Sequence, residues 1–171
     1  IEWGLWHHCN VLIFDLPGHG LSSGEPALID DFGDYSLAIH DVLAAVDLAP
    51  LPLWVMAQST GGAALIDFAG KYAWPFLATV LLAPLVRPAG WLWVRAGHFL
   101  LGHWVDSIPR KFSPNSSDQV FLEFLRRDPL QSQRISLRWV GALRCWLRNL
   151  QQRDLGVGPA LIVQGDADAT V

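Results

Sequence analysis

Short runs of mainly apolar residues alternate with stretches of helical periodicity along much of this chain. Four such runs, each bounded by turn residues, are Val11–Phe14, Leu53–Met56, Thr79–Ala83 and Ala160–Val163. A run of this length predicts a strand that is buried on both faces. Apolar residues spaced by three and four predict helices over Asp31–Leu48 and Ala63–Tyr72. The alternation is typical of an α/β domain in which helices cover a parallel sheet.

Residues 87–153 interrupt this alternation. The segment is rich in Trp and Arg, and amphipathic patterns predict helices over Asp118–Arg127 and Ser136–Leu150. We interpret the segment as a helical insertion that lies over one edge of the sheet. The chain is therefore expected to divide into a core, formed by residues 1–86 and 154–171, and an insertion of residues 87–153.

The composition limits the class of protein. Of the 171 residues, 51% are hydrophobic and 16% are charged, which excludes a disordered chain and fits one domain. The two cysteines, Cys9 and Cys145, provide no disulfide framework and are expected to be reduced and buried. No apolar stretch is long and uncharged enough to span a membrane, and no signal peptide is visible. We therefore expect a cytoplasmic protein without a transmembrane segment.

The charges are distributed unevenly. Residues 1–60 contain eight acidic residues and no Lys or Arg, whereas residues 87–153 contain eleven basic residues and four acidic ones. The net charge therefore changes sign between the two segments, which predicts two structural layers with different surroundings. The basic part is either a solvated helical face or a surface that attracts an anionic substrate or lipid headgroup.

The sequence Ala57-Gln58-Ser59-Thr60-Gly61 joins a predicted strand to a predicted helix. It has the small-x-Ser-x-Gly pattern of a nucleophile elbow, a sharp strained turn that exposes the serine hydroxyl. Small flanking residues are expected because a side chain at position 61 would collide with the adjoining strand. The Thr60 N–H, at the start of the helix, is then a candidate oxyanion donor. The alternative is that Ser59 is an ordinary helix N-cap.

Two loops that follow predicted strands carry further polar residues. In Gln164–Val171, Asp166 and Asp168 are both candidates for a carboxylate that orients a histidine. In Asp15–Gly24, His19 lies between glycines and suits loop geometry better than catalysis.

Other kinds of site have little support in the sequence. The pair His7-His8 lacks partners at metal-ligand spacing. The Trp and Arg content of the insertion is attributed to packing and substrate contact rather than to binding of nucleic acid. No cofactor and no metal are therefore expected.

Four motifs taken together resemble those of the α/β-hydrolase superfamily. In chain order they are Asp15-Leu16-Pro17-Gly18-His19-Gly20-Leu21-Ser22, Gln58-Ser59-Thr60-Gly61-Gly62, Asp128-Pro129-Leu130 and Gly165-x-x-Asp168-x-x-Val171. They are most similar to bacterial serine hydrolases termed lysophospholipase- or monoacylglycerol-lipase-like, also labelled serine aminopeptidase S33. The resemblance implies an α/β-hydrolase parallel sheet with a helical cap over Arg87–Arg153.

The same resemblance assigns roles to individual residues. It implies Ser59 as nucleophile, Thr60 as donor of one oxyanion-hole N–H and Asp168 as triad acid. The family commonly has Gly and His at the positions of Ala57 and Gln58, and alanine is small enough to keep the turn.

The general base is missing from the pattern. The family order is Ser, Asp, His, but all six histidines of this chain precede Asp168. We therefore expect an internal fragment, incomplete at both ends, that lacks the catalytic histidine and the second oxyanion donor.

The predicted function is that of a serine hydrolase, an esterase or lipase, that acts on acyl or lipid-like esters. Apolar cap residues such as Trp91, Trp93, Phe99, Leu100 and Trp104 favour a medium or long acyl chain. The alternatives are a non-catalytic binding protein on the same fold, an inactive fragment, or a hydrolase of thioesters or peptides. The sequence does not indicate an oligomeric state.

Overall fold

The computed structural model describes residues 2–48, 51–101, 104–110, 116–150, 155–166, 168 and 170–171. Its elements are, in chain order, α1 (Glu2–Trp6), α2 (Gly33–Ala45), β1 (Leu53–Gln58), α3 (Thr60–Ala69), β2 (Phe76–Leu82), α4 (Trp91–Leu101), β3 (Ser107–Pro109), α5 (Gln119–Arg127), β4 (Arg134–Ser136), α6 (Leu137–Leu150) and β5 (Ala160–Val163).

The main sheet has three parallel strands in the order β1-β2-β5. Their carboxyl ends are level, because Gln58 pairs with Leu82 and Leu82 with Val163. Helix α3 packs on β1, and α2 packs on α3. The predicted strand–helix–strand order and the parallel sheet are confirmed for this part of the chain.

One predicted strand is wrong. Val11–Phe14 forms no strand in the structure, and the side chains of Val11 and Ile13 are 42% and 65% exposed. A strand needs a neighbouring strand to satisfy its backbone donors and acceptors, and none of the described strands pairs with this segment. The apolar run alone does not supply that neighbour.

The main sheet is covered on one face rather than on both. Burial alternates along β1, so that Val55 and Ala57 pack against the core while Trp54 and Met56 are 65% and 69% exposed. All four residues of β5 are exposed as well. The expectation of strands buried on both faces is therefore wrong: α3 packs on β1, while Trp54 and Met56 of the same strand remain exposed.

Residues 87–153 contain the two predicted helices, α5 and α6, and a small sheet that the sequence did not predict. Asp118 caps α5, since its carboxylate accepts hydrogen bonds from Val120 N (2.9 Å) and Phe121 N (3.2 Å). Strands β3 and β4 pair antiparallel beside α6. The expected boundary between residues 153 and 154 lies outside the described residues.

A buried carboxylate connects α6 to the helices of the core. Asp67 of α3 is 4% exposed and accepts hydrogen bonds from Ser36 Oγ (2.5 Å) and Trp146 Nε1 (3.0 Å). Lys71 Nζ lies 2.7 Å from Asp67 Oδ2, the same oxygen that Ser36 Oγ contacts. A buried carboxylate is costly unless it is paired and hydrogen-bonded. The three partners meet that condition and hold α2, α3 and α6 together.

The two cysteines are free, but they are not core residues. Cys9 is half-buried and Cys145 is exposed on α6. The expectation that both are buried is wrong, since α6 presents Trp146 rather than Cys145 to the hydrophobic core.

Candidate active site

Ser59 occupies a strained turn between β1 and α3. Its backbone has φ 48° and ψ −117°, a conformation that residues other than glycine rarely adopt. Three backbone hydrogen bonds hold the turn: Ser59 N donates to Leu82 O (3.0 Å), while Leu85 N and Ala63 N donate to Ser59 O (3.0 and 3.1 Å). The turn is therefore held in place by hydrogen bonds to β2, to the segment that follows β2 and to α3.

The Ser59 side chain is half-buried and does not cap the helix. No hydrogen bond joins its hydroxyl to the first amides of α3. The alternative of an ordinary N-cap is therefore not what the structure shows. The hydroxyl stands at the carboxyl edge of the sheet, where parallel α/β folds place their ligands.

Of the two glycines that follow this turn, Gly62 and not Gly61 lies close to another segment of the chain. A Cβ atom built on Gly62 would lie 2.9 Å from Pro84 Cβ and 3.1 Å from Pro84 Cα, whereas one on Gly61 would meet nothing within 4 Å. The expectation of a collision at position 61 is wrong, because residue 62 is the one that faces the segment after β2.

Substitution of these two glycines should have opposite effects on stability. We expect Gly62→Ala to lower the free energy of unfolding by about 1–3 kcal/mol, because the added methyl overpacks against Pro84. Gly61→Ala is the matched control, and it should be neutral or stabilising by up to about 1 kcal/mol, since alanine is the better helix former. Urea unfolding of both variants measures the difference. Equal stabilities would contradict the packing at Gly62.

Thr60 is the first residue of α3. The first amides of a helix have no intrahelical acceptor, and the helix dipole adds partial positive charge there. The Thr60 N–H therefore belongs to an anion-attracting helix terminus directly beside Ser59.

Asp168 lies in the loop after β5, at the same edge of the sheet as Ser59. Strands β1 and β5 are separated only by β2, which places their ends about 10 Å apart by ordinary strand spacing. Ala83 N donates to Val163 O (2.8 Å) and joins the segments that follow β2 and β5. The structure thus brings the expected serine and the expected acid to one side of the molecule.

The two acidic candidates differ in their surroundings. Asp168 is half-buried, and its carboxylate accepts hydrogen bonds from Thr170 N (2.7 Å) and Gln164 Nε2 (3.2 Å). Asp166 is exposed. The hydrogen bonds fix the Asp168 side chain in one orientation, which suits a group that must orient another side chain.

Two of the described histidines, His40 and His98, contact residues away from Ser59. His40 contacts Asp41 (3.2 Å) and stacks on Tyr72. On α4, the Nδ1 atom of His98 accepts from Arg144 (3.2 Å). His7 and His8 follow α1 in an exposed segment, and His103 lies outside the described residues.

His19 belongs to a chain of hydrogen bonds that the sequence analysis did not find. Trp139 Nε1 donates to Tyr35 Oη (2.9 Å), and Tyr35 Oη lies 2.9 Å from His19 Nε2. Burial lowers the pKa of His19 below its ordinary 6.5 and raises the pKa of Tyr35 to about 12. A neutral His19 ring can then accept a hydrogen bond from the Tyr35 hydroxyl. The chain joins the Asp15–Gly24 loop to α2 and α6, and no local signal indicates such a contact.

The described part of the chain holds no group of three or more His, Cys, Asp or Glu side chains placed to bind a metal ion. Nor does any helix in the same part combine the length and apolar character needed to cross a membrane.

A family model described as "Serine aminopeptidase, S33" matches residues 7–171. Among curated proteins, human monoglyceride lipase is 36% identical over 84 residues, covering 45% of this chain and 27% of that protein. The Xenopus tropicalis alpha/beta hydrolase domain-containing protein 17C is 29% identical over 79 residues, covering 46% of the chain and 25% of that protein. The chain thus matches about a quarter of each relative's length.

Two solved structures share the fold. A monoacylglycerol lipase of Paleococcus ferrophilus superposes with a TM-score of 0.73 at 20% identity, over 90% of this chain and 61% of that one. A soluble variant of monoglyceride lipase from Saccharomyces cerevisiae, in complex with a substrate analog, gives 0.70 at 19% identity, over 91% and 58%.

Proposed function

Since this chain belongs to the serine aminopeptidase S33 family and has the α/β-hydrolase fold, we propose that it carries the nucleophile and the acid of a serine hydrolase that cleaves acyl esters. The observation that supports this most is the backbone of Ser59, strained at φ 48° between β1 and α3. Such strain persists only where the surroundings impose it, and it concentrates at functional sites.

The proposed reaction begins with attack on the ester carbonyl. Ser59 Oγ forms a bond to the carbonyl carbon while its proton passes to a histidine. The carbonyl oxygen becomes an oxyanion, which the Thr60 N–H and the N-terminus of α3 stabilise. The histidine then protonates the leaving alcohol, and water releases the acid from Ser59 by the same steps.

Asp168 is proposed to orient that histidine. Its carboxylate is held by Thr170 N and Gln164 Nε2, so it can accept a hydrogen bond from the Nδ1–H of an imidazole without changing its orientation. His19, His40 and His98 have other partners. Because all six histidines of this chain precede Asp168, we assign the base to a histidine outside this chain. The family's Ser, Asp, His order supports that assignment.

The proposed substrates are esters of medium or long acyl chains. Helix α4 exposes large apolar side chains, among them Leu92 (75%), Trp93 (83%) and Phe99 (73%). Each methylene buried against such a surface contributes about 0.8 kcal/mol. Two relatives are named monoglyceride lipases, which is consistent with an acyl ester.

A fluorophosphonate probe tests the proposal on the full-length protein. We expect the probe to modify Ser59 covalently, as located by mass spectrometry of the digested protein, and Ser59→Ala to abolish labelling. Ser117→Ala, at an exposed serine, is the control and should label normally. Labelling at a different serine, or none at Ser59, would favour the alternative of a non-catalytic binding protein.

A further inference from the structure

A short connecting segment, residues 83–89, joins the two loops that carry the proposed nucleophile and the proposed acid. Near its start, Leu85 N donates to Ser59 O (3.0 Å). At its end, Ala89 N donates to Thr170 O (3.0 Å), and Thr170 N in turn donates to the carboxylate of the proposed acid (2.7 Å). Backbone hydrogen bonds of this one segment therefore reach both halves of the proposed active site.

The connecting segment begins with a strained residue. Ala83 has φ 41°, in the left-handed region that residues with a Cβ atom adopt only at a cost in free energy. Ser59, the strained residue of the proposed site, is bound to the residue directly before Ala83, because Ser59 N donates to Leu82 O (3.0 Å). Two strained residues are thus neighbours at the carboxyl ends of β1 and β2. Such strain persists only where the surrounding structure imposes it.

The surroundings of Ala83 hold the start of the segment in place. Ala83 N donates to Val163 O of β5 (2.8 Å). Pro84 is buried and closely approaches Gly62 of α3, while Leu85 is 6% exposed and belongs to the hydrophobic core. These contacts fix one backbone path from β2 into the segment, and that path brings the Leu85 amide to the carbonyl of the serine turn.

Alanine at position 83 restricts this path more than glycine would. For a residue with a Cβ atom, the left-handed region is small and is the main accessible region with positive φ. Glycine reaches the same angle without strain, but it also populates many other conformations. The Ala83 turn therefore has little freedom around its observed geometry, and a glycine would loosen the turn without preventing it.

We propose that Ala83 is a positioning residue: the turn that it imposes on the connecting segment sets the separation of Ser59 and Asp168. The inference rests on the proposed function and adds a residue that acts through the backbone. A triad histidine must hydrogen-bond to both the serine and the acid, so the spacing of those two residues decides whether both bonds form together. A misplacement of about 1 Å costs about 10²-fold in rate.

The variant Ala83→Gly of the full-length protein tests this role. We expect kcat for p-nitrophenyl esters to fall at least about 10-fold with little change in KM, because the ester still binds while the triad is aligned for a smaller fraction of the time. The urea midpoint should change little, since relief of strain offsets the greater freedom of glycine in the unfolded chain. Ala83→Ser retains a Cβ atom and should keep kcat within about threefold of the native value.

Ala27→Gly is the matched control. Among the described residues Ala27 is the other alanine with positive φ (53°), and its N–H donates to Gly18 O (2.8 Å), within the loop before α2. This variant should keep the native kcat. Native kcat in Ala83→Gly, equal losses at the two positions, or a change confined to KM would overturn the inference.

Amide hydrogen exchange gives a readout that does not depend on turnover. The amides of Leu85 and Ala89 should exchange at least about 10-fold faster in Ala83→Gly than in the native protein, and Ala27→Gly should leave both rates unchanged. Unchanged exchange in Ala83→Gly would overturn the inference. No turnover of any ester by the native full-length protein would overturn the proposed function, while the exchange rates would still decide whether Ala83 holds the connecting segment.

Discussion

Replacing Ser59 by alanine is expected to reduce kcat for ester hydrolysis by the full-length protein by about 10⁶-fold, the cost of removing the nucleophile from a serine triad. The physical reason is that the proposed covalent bond to the acyl carbon forms through the Ser59 hydroxyl, which alanine lacks. Steady-state hydrolysis of p-nitrophenyl esters of graded chain length measures the effect.

The Ser59→Ala variant should remain folded, because the three backbone hydrogen bonds of the turn do not involve the serine hydroxyl. Circular dichroism and the urea midpoint check this point. Ser117→Ala should retain full activity. Residual activity above about 1% of the native value, far more than the oxyanion hole and binding alone provide, would show that Ser59 is not the nucleophile.

The second large effect is expected at the acid. Asp168→Asn should lower kcat by about 10⁴-fold and change KM little, because the amide no longer holds the catalytic histidine in the correct tautomer. The substitution keeps an oxygen for the hydrogen bond from Thr170 N (2.7 Å), so the loop should keep its conformation. For this variant, kcat and KM are measured together with the pH dependence of kcat/KM.

Asp166→Asn is the matched control and decides between the two acidic candidates of this loop. Since Asp166 is exposed, its substitution should change kcat less than about threefold, a difference in activation free energy below 1 kcal/mol. A large loss with Asp166→Asn and a small one with Asp168→Asn would transfer the role of the acid to Asp166.

Much of the core could be predicted from local pattern. The apolar runs located β1, β2 and β5, and the helical periods located α2 and α3. The strained turn at Ser59 was predictable because its steric requirement is local. Such a turn needs small residues beside a serine that joins a strand to a helix. Parallel strands bring their carboxyl ends to one edge, so the loop that contains Asp168 lies at the same edge of the sheet as Ser59.

Other features were not predictable, since they depend on contacts between distant segments. Trp139 donates a hydrogen bond to Tyr35, which is distant in the sequence. Asp67 accepts hydrogen bonds from residues of α2 and α6. Neither contact has a signature in the neighbouring sequence. The error at Gly61 has the same origin, because the atom that approaches Gly62 belongs to Pro84, beyond the next strand.

The sequence by itself determined the order of α2, β1, α3, β2 and β5, the position of the strained serine and the edge at which an acid follows β5. Only the tertiary structure decided that Val11–Phe14 has no strand partner and that one face of the sheet is uncovered. The physical reason is that an apolar pattern records which side chains are able to be buried. Whether they are buried depends on which other element packs against them.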